Sequence, residues 1–296
     1  MRKFVTCLLG GLLALMGACA TSPTGRKQLT LVPDPQMASM GAQAFQQIER
    51  QTPIEDDDAI NAYVDCVARA ITTLPGVQKI NSEWEVVVFD DKTVNAFALP
   101  GGKIGVYKGM LSAARTQGQL AAVIGHEVGH VLARHGNERV SQQFAVGETL
   151  ALIDAWMAAG NRENRQAALA LLGVGAQVGI LLPFSRAHES EADAIGQDLM
   201  ARAGFDPRDS VALWKNMAKM GGAQPPQFLS THPANENRVK ALQDGLGRTI
   251  PLYDAAIADG KRAHCPETAA NRRQTSPELR ADRSARSAFR MAAAME

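Results

Sequence analysis

His126, Glu127 and His130 are the residues of this sequence best placed to do chemistry. They fall within Gln119 to Arg134, a stretch of helical pattern. Side chains four apart share one face of a helix, so the two imidazoles can offer ring nitrogens to a single metal ion. Glu127 lies one residue round the helix and can reach a water at that ion without ligating it. Two imidazoles that hold an ion and a carboxylate that takes a proton from water are the parts of zinc-assisted peptide hydrolysis. Leu120, Ala121, Val123, Ile124, Val131 and Leu132 make the helix mostly buried. Imidazole and carboxylate groups on a buried helix need partners, and a metal supplies them.

A third ligand has to come from elsewhere. One known extension needs glycine and histidine at the positions held here by Ala133 and Gly136, and His135 is one residue out of that register, so that subclass is excluded. The inverted motif is absent as well. The remaining solution takes a glutamate from a later helix. Ser185 to Asp193 reads as the start of such a helix, with Glu189 and Asp193 four apart on one face. Glu189 can then ligate the ion while Asp193 orients a liganding histidine through its other ring nitrogen. Glu191 points elsewhere on that helix. His135, His188 and His264 are given no role.

The elements that must position these residues are legible in outline. Helical patterns cover about Met37 to Gln51 and Asp56 to Leu74, the second opening on acidic residues that suit a helix N-terminus. Trp84 to Phe89 and Gly102 to Tyr107 are strand-like runs, so a small sheet is expected between about 83 and 108. Asn95 to Gly102 is extended and closes in a Pro-Gly-Gly turn. From Gln117 onward the pattern is helical, with breaks expected at Gly136, Gly160, Pro183, Gly204 to Pro207 and Pro225-Pro226. The apolar segment Ala167 to Phe184 is shorter than a membrane span and reads as a buried or cleft-lining helix that roofs the site. After about Leu252 the pattern decays, and residues 266–296 are expected to be mobile.

Taken together, His126-Glu-x-x-His130 followed by Ser185-Arg186-x-x-Glu189-x-x-Ala192-Asp193 resembles the gluzincin peptidases that include the CAAX prenyl protease, HtpX and periplasmic proteases of the BepA type. The similarity runs from the N-terminal tether to about residue 245. It includes Thr24-Gly25-Arg26-Lys27-Gln28-Leu29, Asn95 to Gly102 and Ser230-Thr231-His232-Pro233. The resemblance implies an α+β, predominantly helical zincin-type domain that binds one Zn2+ per chain. It implies His126, His130 and Glu189 as ligands and Glu127 as general base, the four residues that spacing had already suggested. It also implies that Asn95, Ala96, Phe97 and Ala98 form an edge strand beside the cleft, to which a substrate backbone can add. The loop at His232 approaches the zinc in the resembling proteases. His232 is therefore expected either to fill the open coordination site in a latent form or to stabilise the oxyanion, with Arg238 as a second oxyanion candidate.

The N-terminus supplies an address. Arg2 and Lys3 precede the apolar run Phe4 to Met16, which has the length of a signal-peptide core. Leu15 to Cys19 resembles the lipobox of bacterial lipoproteins, which implies cleavage before Cys19 and lipidation of its thiol. With Ala20 in place of an aspartate after the cysteine, the expected location is the outer membrane, facing the periplasm. The expected division is a signal peptide over 1–18, a lipidated tether over 19–35, a peptidase domain over 36–252 and a tail over 253–296. In that oxidising compartment Cys66 and Cys265 either pair as a disulfide or remain a buried thiol and a free one.

The chain has 296 residues and a formal net charge of +1, without a basic stripe or base-stacking module, so nucleic-acid binding is set aside. The expected function is hydrolysis of misfolded or stalled envelope proteins in periplasmic quality control, with outer-membrane assembly machinery as a further partner. The alternative is a zinc-holding, mainly non-proteolytic chaperone or assembly factor for outer-membrane proteins. An intact Glu127 argues against that alternative, because a scaffold has no use for a base beside its metal. A structural lipoprotein with accidental motifs would bind no stoichiometric zinc.

Overall fold

The computed structural model describes residues 19–145, 184–220, 226–233 and 236–266. The leader over 1–18, the breaks at Gly160, Pro183 and Pro225, and the expected roof helix except for Phe184 lie outside them, as does 267–296. The helices are α1 (Asp34–Gln51), α2 (Asp58–Thr72), α3 (Pro75–Gln78), α4 (Met110–Ala113), α5 (Gln117–Leu132), α6 (His135–Ala145), α7 (Arg186–Arg202), α8 (Arg208–Met220), α9 (Gln227–Thr231) and α10 (Glu236–Ala258). The strands are β1 (Cys19–Thr21), β2 (Lys27–Leu29), β3 (Glu85–Phe89), β4 (Ala96–Leu99) and β5 (Lys103–Tyr107). The fold is α+β and mostly helical.

The sheet forms because β-branched and aromatic residues alternate across it. β5 lies in the middle, parallel to β3 and antiparallel to β4. Gly101 and Gly102 adopt φ of 85° and 72°, which side chains resist, and so allow the tight return from β4 to β5. Phe45 of α1, Phe89, Phe97 and Tyr107 cluster against one another with ring centroids 5.4–6.3 Å apart and fix α1 to the sheet. The outer edge of β4 is left facing α5.

The core is built round α5. Thr116 caps it by accepting a hydrogen bond from Gln119 N–H at 3.1 Å, and every residue from Gly118 to His130 is buried. α2 packs Tyr63, Val64, Val67, Ala68 and Ile71 into the same core, starting from Asp57, which caps Ala59 and Ile60. α7 crosses α5 at unusually close range. A Cβ on Gly196 would meet His126 N at 2.6 Å, and one on Gly129 would meet Ala192 O at 3.0 Å. The two helices therefore touch backbone to backbone, a contact that only small residues permit.

Three boundaries differ from expectation. The segment expected as a tether folds into the hairpin β1–β2, with Ser22 and Gln28 buried, because its polar groups find partners on α6 and α7. The break expected at Gly136 falls at Arg134, whose φ of 56° reverses the chain so that α6 begins at His135. α10 runs through Pro251 to Ala258, past the expected end at Leu252, and Ala256 is buried.

Cys66 on α2 is joined to Cys265 by a disulfide spanning 199 positions. It pins the segment after α10 to the core, where Cys265 N–H also donates to Gln117 Oε1. Closing so long a loop restricts the unfolded chain strongly, so replacing both cysteines with alanine should cost about 2–5 kcal/mol. Urea denaturation of the oxidised protein and the double variant measures it. Among the described residues no helix is long and apolar enough to cross a membrane.

Candidate metal centre and cleft

Four side chains meet where α5, α7 and the loop after α9 converge. His126 Nε2 and His130 Nε2 are 3.0 Å apart, and His126 Nε2 lies 3.2 Å from His232 Nδ1. Glu189 Oε1 is 3.0 Å from His232 Nδ1 and 3.5 Å from His130 Nε2. All four residues are buried. Ligand atoms on a tetrahedral ion with bonds of about 2.0–2.1 Å stand roughly 3.3 Å from one another, so these separations fit zinc.

The hydrogen-bond partners say which nitrogens are free to ligate. Asp193 Oδ1 lies 3.0 Å from His126 Nδ1 and can only accept, which favours the hydrogen on Nδ1 and the lone pair on Nε2. His135 Nε2 faces the Glu191 carboxylate at 3.1 Å and donates to it, which leaves His135 Nδ1 to accept from His130 Nδ1–H at 2.9 Å. The Nε2 of His130 is then a lone pair as well. Two lone pairs and a carboxylate facing one another in a buried site repel, and a cation removes the conflict.

Charge around the cluster is arranged to match. Burial, with the His126, His232 and His135 rings and the Arg238 guanidinium opposing a further positive charge, pushes His130 well below the usual histidine range and favours the neutral form that a metal requires. Burial also acts to lower His126, but Asp193 and Glu189 outweigh it and hold it up. Burial acts to raise Asp193, but Arg238 outweighs it and holds the carboxyl at about 2. Arg238 grips Asp193 with Nε and Nη2, each at 2.7 Å, and reaches Glu189 Oε2 with Nη1 at 2.5 Å. Its guanidinium lies 3.8 Å from the Trp214 ring centroid. Arg238 thus stands behind the ligands as their counter-ion, which corrects its expected place as an oxyanion group.

Glu127 is buried, with Oε1 unbonded and 3.4 Å from His232 Nε2. Burial pushes its carboxyl up, against the pull of His232, His126 and a hydrogen bond from Ala98 N–H. The carboxylate therefore joins α5 to β4. Because backbone groups alternate along a strand, Ala96 and Ala98 face the open edge, while Asn95 C=O is bonded to Tyr107 N–H of β5. A cleft of about 330 Å³ runs along this edge, with Met37, Met40, Phe97, Leu99 and Val140 among its walls and Glu127, His130 and His232 at its floor. Phe184 covers His130 at a centroid distance of 3.9 Å and lies beneath Arg139.

The sequence reading missed His135, Glu191 and Arg26. The motif Thr24 to Leu29 was a signal that its residues had a partner, although it did not say where.

Two histidines four apart on one helix and a glutamate from a second, placed so that they could hold a metal ion, with a carboxylate beside the first histidine, have the arrangement of a metallopeptidase-type centre. Residues 58–245 match the family model described as Peptidase family M48, and the chain belongs to that family. It is 38% identical over 188 residues to the mitochondrial metalloendopeptidase OMA1 of Schizosaccharomyces pombe, covering 62% of this chain and 52% of that protein. Its identity to OMA1 of Arabidopsis thaliana is 41% over 161 residues, 54% of this chain and 31% of the other. The beta-barrel assembly-enhancing protease of Escherichia coli is 25% identical over 229 residues, 76% of this chain and 46% of that protein. The chain spans about half the length, or less, of these curated relatives.

Proposed function

We propose that this chain is a zinc metalloendopeptidase that cleaves unfolded or misfolded proteins of the bacterial envelope and rests in a latent form. The observation that carries the reading is the buried meeting of His126, His130 and Glu189 with the Glu127 carboxylate, whose Oε1 has no hydrogen-bond partner among the described residues, at the end of an open strand edge. Zinc held by His126, His130 and Glu189 would polarise a peptide carbonyl and acidify a water. Glu127 takes the proton of the attacking water and passes it to the leaving amine, and its raised pKa suits both halves of that transfer. Asp193 and His135 fix the tautomers of the two histidines. Substrate adds to the outward edge of β4 as an extended strand, which favours chains that have lost their own fold. Removal of zinc with a chelator should abolish casein cleavage, and one equivalent of zinc should restore it. Cleavage that survives in a zinc-free sample overturns the proposal.

Latency rests on His232. Its Nδ1 stands at the fourth corner of the cluster and its Nε2 faces Glu127, so it fills the space that substrate and water need. The His232→Ala variant should cleave casein roughly 10-fold faster, as a first estimate for releasing a minor competent state. A fall in turnover at unchanged zinc content would instead assign His232 to the oxyanion.

The address is proposed as the periplasmic face of the outer membrane, through lipid on Cys19. The relative named for beta-barrel assembly supports an envelope role, whereas those named OMA1 are mitochondrial. Metabolic labelling with a palmitate analogue, lost in Cys19→Ala, tests the anchor. A chaperone that holds zinc without cleaving is the second reading, and retention of function by a Glu127 variant would favour it.

A further inference from the structure

Behind His130 lies a second buried polar cluster, of which the mechanism described above uses only His135. The Arg26 side chain enters it from the β1–β2 hairpin. Its Nε donates to Glu191 Oε2 at 2.8 Å, while Nη1 and Nη2 grip the two oxygens of Glu138 at 2.8 and 2.6 Å. Thr24 Oγ1 donates to Glu191 Oε1 at 2.5 Å. Glu138 also meets His188 Nε2 at 3.0 Å, and the His188 ring stacks on His135 with centroids 4.4 Å apart. Past the hairpin the chain stays docked on α6, where Leu31 N–H donates to Ser141 Oγ and Asn137 Nδ2 donates to Val32 C=O.

We propose that the β1–β2 hairpin is a strap that positions a metal ligand: Arg26 and Thr24 hold Glu191, Glu191 fixes the tautomer of His135, and His135 orients His130. The inference rests on the zinc-peptidase reading for the role of His130. Each link is a hydrogen bond whose direction follows from the one before. A carboxylate only accepts, so Glu191 requires the hydrogen of His135 on Nε2. The lone pair of His135 Nδ1 then requires the hydrogen of His130 on Nδ1. That leaves His130 Nε2 free for the ion. Arg26 matters because its fork satisfies two buried carboxylates at once, and a lysine reproduces the charge but not the fork. Exposure agrees with this role. The Arg26 side chain is 27% exposed, but those of Glu191, Glu138, His135 and His188 lie between 0% and 6%, sealed beneath the strap.

The test compares wild type with Arg26→Ala, Arg26→Lys, Glu191→Gln and, as a hairpin control, Lys27→Ala, whose exposed side chain bonds, among the described residues, within the hairpin at Thr21. Zinc affinity is read by chelator competition, and coordination by the visible spectrum of the cobalt-substituted protein. Arg26→Ala and Glu191→Gln should weaken zinc binding about 10- to 100-fold and alter the cobalt spectrum, with partial recovery in Arg26→Lys and wild-type values in Lys27→Ala. Glu191→Gln is nearly isosteric and stands in if Arg26→Ala does not fold. Wild-type affinity and spectrum in a folded Arg26→Ala or Glu191→Gln overturn the strap, as does equal weakening in Lys27→Ala. A wild-type protein that binds no stoichiometric zinc would overturn the peptidase reading instead, which keeps the two failures apart.

Discussion

The Glu127→Gln variant should bind zinc as tightly as wild type and lose turnover on casein by about 10²- to 10⁴-fold, the usual contribution of a positioned acid-base group. Its buried oxygen Oε1 has no hydrogen-bond partner to lose, and a glutamine keeps the shape that holds α5 against β4. Burial also disfavours the charged carboxylate, so the neutral amide should leave the metal-free protein at least as stable as wild type. Casein cleavage, zinc content and thermal melting on one preparation test all three statements. Turnover within a few-fold of wild type would remove Glu127 from the mechanism, and loss of zinc would mean that it ligates the ion directly.

Arg238→Ala carries the second large effect, and it depends on metal. Arg238 neutralises Asp193 and Glu189, carboxylates whose side chains are 5% and 2% exposed. Breaking such a buried pair from one side typically costs about 3–5 kcal/mol, because the remaining charges have neither solvent nor partner. For a domain of this size that lowers Tm by on the order of 10 °C. With the proposed ligand set, zinc would bring positive charge to the same two carboxylates, directly to Glu189 and through His126 to Asp193. It should therefore raise Tm further in the variant than in wild type. Melting curves in chelator and in excess zinc separate this from the loss of packing on Trp214. An equal deficit in both conditions would reduce Arg238 to a packing role, and Arg238→Lys should rescue little because it lacks the fork that spans both oxygens of Asp193.

The parts of the site that sequence made legible are those set by local periodicity. His126 with His130, and Glu189 with Asp193, are four apart on helices that form where the pattern places them, so spacing alone put each pair on one face. The turn at Gly101 and Gly102 was likewise written in turn residues, whereas the edge strand at β4 was implied only by the family resemblance. What sequence could not supply is the side from which a distant residue arrives. Arg238 is 45 positions from Asp193, and nothing in α10 says whether its guanidinium enters the cleft or the space behind the ligands. His135 reaches His130 only because Arg134 takes a left-handed turn that its residue type does not advertise. Arg26 sits in a stretch broken by Pro23, Gly25 and Pro33, and its placement depends on carboxylates 112 and 165 positions away.

The contact between α5 and α7 has a consequence for how such a chain can vary. With Gly125 and Gly129 facing Ala192 and Gly196, the helices meet at main-chain atoms along this line, and backbone contact sets the distance between them there. Exchanging one apolar residue for another elsewhere in the core alters how firmly the helices are held but not how far apart they stand. The spread of His126, His130 and Glu189 is thus insulated from most sequence drift, which can spend stability long before it reaches the chemistry. A methyl group added at Gly196 acts in the opposite order, widening the grip on the ion first.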